Sequence, residues 1–444
     1  HRPRAALRRG LRARPLTPRI GTLPSNKIYY RIVKPDGATI TDRRRFRYDY
    51  ESANFSDPGR YLIFVEGRTS NDSTDSYKFE VLRGSVAEKD LVLDSRVTGE
   101  IAGRLNRDVY SFDLSEDALL HLDGQTSDYN FDVKIEGPSG VIYDNQMRRS
   151  DGYYRSDSTT INAPAGSYTL TVDTDRDDTG PYAFALRCLD NAAAISVGEK
   201  VDKTYDPGSE TKIFSFDANA GDRFYLENLG GNLDGRWKIV DKSGALQTSG
   251  TDRVYRDLGE VTLDTGGTFY LMIEGDVNDS DERTHSFRLV RPSSDSVALS
   301  LNTPVSDTLA LPGDTKTFTF SVSGETRVYI DLLDQRDSDF NWSLTGPRGL
   351  VAERSFTRTD ANDASTPPLF SLVPGDYSLT VAADSGDTGD FGFQVLDTST
   401  ATPVTLGTLV EGRLQPGTET QLFTFEATAG DRVFFDSETG YQGY

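Results

Sequence analysis

One pattern constrains this chain more than any other: it repeats itself about every 104 residues. An alternating aromatic run appears as Val109-Tyr110-Ser111-Phe112-Asp113, Ile213-Phe214-Ser215-Phe216-Asp217, Thr317-Phe318-Thr319-Phe320-Ser321 and Leu422-Phe423-Thr424-Phe425-Glu426, with starts 104, 104 and 105 residues apart. A second landmark is a pair of apolar runs around a turn glycine, at Gly37, Gly140, Gly244 and Gly349. A third is a glycine leading a Tyr/Phe run, at Gly59, Gly166, Gly267 and Gly375. Three landmarks keeping one period and one order define a tandem array of one structural unit.

Within a unit the apolar residues alternate with a period of two, broken by turn signals such as Asn219-Ala220-Gly221-Asp222 and Lys242-Ser243-Gly244. No window sustains the 3.6-residue period of an amphipathic helix. Short strands at even spacing predict an all-β chain of antiparallel β-sandwich (jelly-roll-like) domains. For the unit 191–292 the alternation predicts a core of Phe214, Phe216, Phe224, Leu226, Trp237, Ile239, Phe269, Leu271, Ile273, Phe287 and Leu289.

The landmarks divide the chain into an Arg-rich arm (1–20), a partial sandwich (21–83), three complete units (84–190, 191–292 and 293–397) and a second partial sandwich (398–444). Linkers are expected near 84–90, 190–196, 291–297 and 397–403, where Ser, Thr, Ala and Asp crowd together. The first partial unit carries only the second and third landmarks, and the last carries only the first. Neither buries a core alone. Either the chain is a piece of a longer array cut in mid-domain at both ends, or the last half-unit of one molecule completes the first half-unit of the next by strand complementation.

Composition limits the partners. The net charge is −21, although the first 20 residues hold seven Arg and no acid, so the array is more acidic still. Such a surface repels nucleic acid and attracts divalent cations. No run approaches the roughly 18 apolar residues of a membrane span, so no membrane insertion is expected. The single cysteine, Cys188, lies in an alternating run on the face of Phe184 and Leu186, which predicts a buried structural thiol.

The landmark order resembles the bacterial pre-peptidase C-terminal domain, a small β-sandwich found singly or in tandem. The residues carrying the likeness are Asp108-Val109-Tyr110-Ser111-Phe112, Phe131-Asp132-Val133-Lys134-Ile135, Gly140-Val141-Ile142, Ala165-Gly166-Ser167-Tyr168-Thr169-Leu170-Thr171-Val172 and Gly180-Pro181-Tyr182-Ala183-Phe184. The likeness extends over roughly 21–444 and weakens at 191–292, where His285-Ser286-Phe287 replaces the final G-x-Y. It implies a secreted or surface-displayed bacterial protein, and because these are core and turn residues it speaks to fold rather than ligand.

No catalytic constellation is apparent, so the chain is expected not to be an enzyme. The three histidines, His1, His121 and His285, have no metal-ligand spacing. The Asp-Thr-Gly triplets at 178–180, 264–266 and 387–389 fall at turns, with Asp264-Thr265-Gly266 in register with Ala163-Pro164-Ala165. Calcium is the candidate ion. Acidic loops follow the third landmark at Asn71–Asp75, at Asp173, Asp175, Asp177 and Asp178, at Asp276, Asn278, Asp279 and Asp281, and at Asp384, Asp387 and Asp390. Closely spaced oxygens of this kind suit a hard cation, whereas the competing reading is a solvated loop that keeps strand edges apart. Aromatics at Tyr153-Tyr154 and Tyr441–Tyr444 are candidates for glycan stacking. The expected role is an extracellular structural, filament, surface-layer or adhesin segment that self-associates; the alternative is the non-catalytic region of a secreted peptidase or other hydrolase.

Overall fold

The computed structural model describes residues 27–41, 43–46, 57–70, 74, 76–128, 130–150, 160–174, 178–248, 252–335, 340–360, 368–384 and 386–437. Among these residues the chain is all-β, with strands interrupted only by short 3-10 turns such as Met147–Ser150, and no α-helix. It divides into two compact units, His1–Arg83 and Gly84–Tyr444.

In the larger unit, residues 84–190 form two sheets. The five-stranded sheet runs, in spatial order, Val86–Asp90, Arg107–Leu114, Gly166–Thr174, Phe131–Gly137, Gly140–Gln146. The four-stranded sheet runs Thr160–Ala163, Ala118–Gly124, Gly180–Cys188, Arg96–Ile101. Each sheet contributes its apolar residues to one core: Tyr110, Phe112, Val133, Ile135, Leu170 and Val172 from the first, Ile101, Leu120, Leu122, Ile161, Phe184 and Leu186 from the second. Period-two alternation is the cause, since it puts every second side chain on one face. Cys188 belongs to this cluster and is buried.

Residues 293–397 repeat that strand order in both sheets, and residues 191–292 repeat it without the last strand of the larger one. All eleven core residues expected in 191–292 are buried, at 0% to 4% exposure. Among the described residues each of the three complete periods thus holds its own core.

The expected linkers are structured instead. Val86–Asp90, Ala193–Ala194, Ser294–Ala298 and Thr402–Pro403 each lie parallel to the aromatic strand that follows. Departing from an all-antiparallel arrangement, these are edge strands with exposed side chains. An edge strand needs its backbone paired but no apolar face, so its sequence looks like a linker.

In the smaller unit, Leu62–Gly67 pairs with Ile28–Val33, which also pairs with Arg44–Arg45. Leu62, Ile63 and Phe64 remain 39–46% exposed. In the larger unit, Phe423–Thr424 pairs only with Thr402–Pro403 among the described residues, and Phe434 and Phe435 are 84% and 93% exposed.

A buried histidine marks the 191–292 core. His285, 2% exposed, lies between Trp237 and Phe287, with ring centroids 4.9 and 5.8 Å away. Burial among these rings pulls its pKa down from 6.5 to about 4. The unfolded chain therefore binds a proton there that the folded chain refuses. Stability from this site is complete above pH about 6.5 and falls as pH drops toward 4, by on the order of 3 kcal/mol. Urea midpoints measured at pH 7.5 and 4.5 should show this loss, and His285→Phe should reduce it; equal pH dependence in the variant would refute it.

Candidate functional site: acidic loops and the joints between repeats

The acidic loops are where sequence reasoning placed a cation. Asp175 and Asp177, like Asn71, Asp72 and Asp75, lie outside the described residues. Asp173 accepts the backbone N–H of Thr174 at 2.8 Å, and the Asp178 carbonyl accepts the Thr174 hydroxyl at 2.9 Å. Asp276 accepts both the backbone and side-chain N–H of Asn278, at 2.9 and 2.8 Å. Asp384 offers its carbonyl to Asp387 N–H at 3.2 Å, and Asp390 accepts the Thr308 hydroxyl at 2.5 Å. Among the described residues no three His, Cys, Asp or Glu side chains gather closely enough to hold a metal ion.

In the 276–281 loop the counter-charge is a guanidinium. Arg283 reaches Asp279 at 2.6 Å and Asp281 at 3.3 Å, and holds the Asp279 carboxyl below the usual carboxylate range. The loop also shapes its neighbour, since Gly208 N–H donates to the Asp281 carbonyl at 2.6 Å and Ser209 N–H to the Asp279 carbonyl at 2.9 Å. A Cβ on Gly275 would come within 1.8 Å of the Gly208 carbonyl, so only glycine permits this approach. The acidic loop thereby anchors 207–211, which meets the preceding repeat.

That meeting is a buried polar joint. The Asp123 side chain, 1% exposed, accepts the backbone N–H of Thr211 at 3.2 Å, the Gln125 amide at 2.9 Å and Arg187 Nη2 at 3.1 Å. Arg187 continues to Glu210 at 3.2 Å, which pairs with Lys212 at 3.0 Å. Beside it sits an apolar pad: Leu119 and Leu189 from one repeat, Val240, Tyr270 and Met272 from the next. The Tyr270 hydroxyl crosses the joint to donate to Asp190 at 2.6 Å, and burial with that carboxylate pushes the phenol pKa up. At the pad's edge the Thr160 hydroxyl donates to the Gly244 carbonyl at 3.2 Å. Gly244 has φ +85°, and a Cβ there would lie 2.7 Å from the Thr160 hydroxyl. The landmark glycine thus serves both turn and joint.

The same device recurs two repeats later. Asp331, fully buried, accepts the Gln394 amide at 2.7 Å and the backbone N–H of Thr420 at 3.0 Å, while the Thr418 hydroxyl donates to the Leu333 carbonyl at 2.7 Å. Burial pushes the Asp331 carboxyl up from its ordinary value. The intervening joint differs: Arg223 donates to the Ser294 hydroxyl at 2.6 Å and the Gly313 carbonyl at 3.4 Å, and pairs with Glu260. Joints of the two kinds alternate, so the contacts have twice the sequence period. One signal for this was present: Pro207-Gly208-Ser209-Glu210-Thr211 matches Pro416-Gly417-Thr418-Glu419-Thr420, while the middle copy reads Pro312-Gly313-Asp314-Thr315.

The Asp-Thr-Gly residues at 264–266 lie in the turn before Gly267–Gly275. Tyr153-Tyr154 and Tyr441–Tyr444 lie outside the described residues. No described helix is long and apolar enough to cross a membrane.

No protein-family model matches the sequence, and no curated protein matches it. Among solved structures, the chain is similar to the pre-peptidase C-terminal domain of collagenase from Bacillus anthracis, at 20% identity over 23% of this chain and 95% of that one, with a TM-score of 0.18. The CUB1-EGF-CUB2 domains of rat MASP-1 are 10% identical over 46% of this chain and all of that one, with a TM-score of 0.15. A triple jelly roll protein from an archaeal virus is 9% identical over 66% and 81% of the two chains, with a TM-score of 0.14. Scores this low carry no argument, so the all-β assignment rests on the chain's own sheets.

Removing the Asp123 carboxylate leaves Arg187 and the Thr211 N–H without their buried acceptor. Asp123→Ala should destabilise the two adjoining repeats by about 3 kcal/mol, the cost of breaking a buried pair from one side. Asp295→Ala, which removes an exposed partner of Lys316, should cost less than about 1 kcal/mol. Denaturant titration of both variants checks the contrast, which fails if their midpoints shift equally.

Proposed function

We propose that this chain is an extracellular structural array: tandem β-sandwich, jelly-roll-like domains, of the pre-peptidase C-terminal kind, that serve as a stiff spacer or assembly segment at a bacterial cell surface. The observation that carries this reading is the joint. Independent domains on flexible tethers have no need of buried contacts across their boundaries, and interdomain motion is the default unless the interface is substantial and apolar. Here a buried carboxylate takes the N–H of the following repeat at Asp123–Thr211 and again at Asp331–Thr420. The first joint adds an apolar pad centred on Leu119, Tyr270 and Met272. Two sheets closing on one core in each period support the sandwich assignment. The acidic exterior that accompanies net charge −21 suits a solvated surface protein that repels anionic polymers.

Rigidity is the testable consequence. Spin labels at Glu116→Cys and Asp264→Cys, in a Cys188→Ala background, report the distance between adjoining repeats by pulsed electron resonance. A narrow distribution is expected, broadening when Asp123→Ala and Met272→Asp are added. A broad distribution in the parent would remove the stiff-array reading.

A further inference from the structure

A cavity of about 270 Å³ lies at the joint between the repeats 84–190 and 191–292. Asp94 and Arg187 line it from the first repeat, and Lys203, Glu210, Lys212 and Phe214 from the second. Asn191, Ala193 and Lys203 also border it and are exposed, so it is reached from solvent.

The charges in its walls are unequally committed. Asp94 Oδ1 accepts the Cys188 backbone N–H at 2.9 Å, and its Oδ2 accepts the Asn191 amide at 2.7 Å. Glu210 takes Arg187 on one oxygen at 3.2 Å and Lys212 on the other at 3.0 Å. Arg187 is also held by Asp123 at 3.1 Å and by the Asp94 carbonyl at 2.9 Å. Lys203 differs. Among the described residues no carboxylate pairs with it, and its ammonium stands 5.7 Å from the centroid of the Phe214 ring. The cavity therefore presents one uncommitted positive charge beside the apolar surface of Phe214, Ile213 and Ala192.

Building a joint does not require these cations. The Asp331–Thr420 joint is of the same kind, and the shift that carries Pro207–Thr211 onto Pro416–Thr420 also carries Gly180–Cys188 onto Gly389–Asp397. Under that shift Arg187, Lys203 and Lys212 become Leu396, Gly412 and Gln421, while Glu210 remains a glutamate, Glu419. That joint still closes on its buried carboxylate. The basic wall thus belongs to one joint and not to the architecture of joints.

We propose that this cavity binds a small organic carboxylate with an apolar body, its carboxylate on Lys203 and its body against Phe214 and Ile213. One uncommitted cation matches one carboxylate. Sites for drug-sized molecules run roughly 300–1,000 Å³, so this cavity suits a smaller ligand, such as a single ring or a short acyl chain. The acidic exterior does not forbid an anion here, because exposed charges are screened within about 8 Å at physiological ionic strength. Both repeats supply walls, so a bound ligand stabilises their docking. The inference goes beyond the structural-array reading and uses only the geometry of the joint.

Benzoate is the probe and benzamide its neutral counterpart, each titrated into the full chain by calorimetry. Benzoate should bind saturably at millimolar concentration and raise the melting transition of the adjoining repeats. Benzamide, and benzoate with Lys203→Gln, should each bind about tenfold more weakly, the scale of a hydrogen bond to a charged group. Lys200→Gln is the control. It removes the same charge from the same strand, but from a residue of the opposite face, where Lys200 pairs with Asp202 at 2.8 Å. Its affinity for benzoate should equal that of the parent. Lys200 and Lys203 are both exposed, so neither variant should alter the circular dichroism spectrum. Equal weakening in the two lysine variants, benzamide binding as tightly as benzoate, or no saturable binding would overturn the proposal. Any of these, alongside a narrow interdomain distance distribution, would leave the stiff array standing and remove only its ligand site.

Discussion

The stacked aromatic pair between two neighbouring strands is the contact on which each repeat depends. It sits where the aromatic strand meets the glycine-led strand, with Phe112 on Tyr168, Phe216 on Phe269 and Phe320 on Tyr377, so it fixes the register of the central pair in the larger sheet. A one-residue slip would turn Phe112 or Phe216 to solvent and reverse every side chain beyond it. The glycines opening two of these strands, Gly166 and Gly375, are part of the same device, since their positive φ brings the strand past a proline of the hairpin turn, Pro138 or Pro347, where a Cβ would collide. With that register set, Leu170 and Val172, or Leu379 and Val381, are committed to the core and meet the second sheet.

From this unit the array is extended by contacts of another kind. The cores are apolar and separate, but the joints combine apolar pads with buried charge. Asp123 and Asp331 project from strands of one repeat toward a backbone N–H of the next. A buried carboxylate tolerates few arrangements, because each alternative leaves it or its donors unsatisfied. The alternation between carboxylate joints and the Arg223 joint means that neighbouring boundaries differ while every second one matches.

The acidic loops show how local chemistry acquires a role from its surroundings. Along the chain, Asp276, Asn278, Asp279 and Asp281 look like a set of oxygen ligands. In space, Arg283 pairs with two of them, and backbone carbonyls of the loop receive Gly208 and Ser209. The loop shapes the segment that carries Glu210 and Thr211 into the joint, linking a turn in one part of a repeat to adhesion at its boundary.

The sequence by itself determined the period, the strand-rich character and most of the 191–292 core. Alternation of two and a turn glycine at constant spacing are local properties, and burial follows from them: all eleven residues expected in the 191–292 core are buried. Only the tertiary structure decided the edge strands and the joints. Val86–Asp90 and Ser294–Ala298 carry exposed side chains, so nothing in their composition separates a paired backbone from a free linker. Asp123 occupies an alternating strand beside apolar residues, and its acceptor role depends on an N–H 88 residues away in the next repeat. A sequence displays which side chains avoid water, because that preference belongs to each residue alone. Which charges meet across a boundary is a property of two folded surfaces, and it exists only once both have formed.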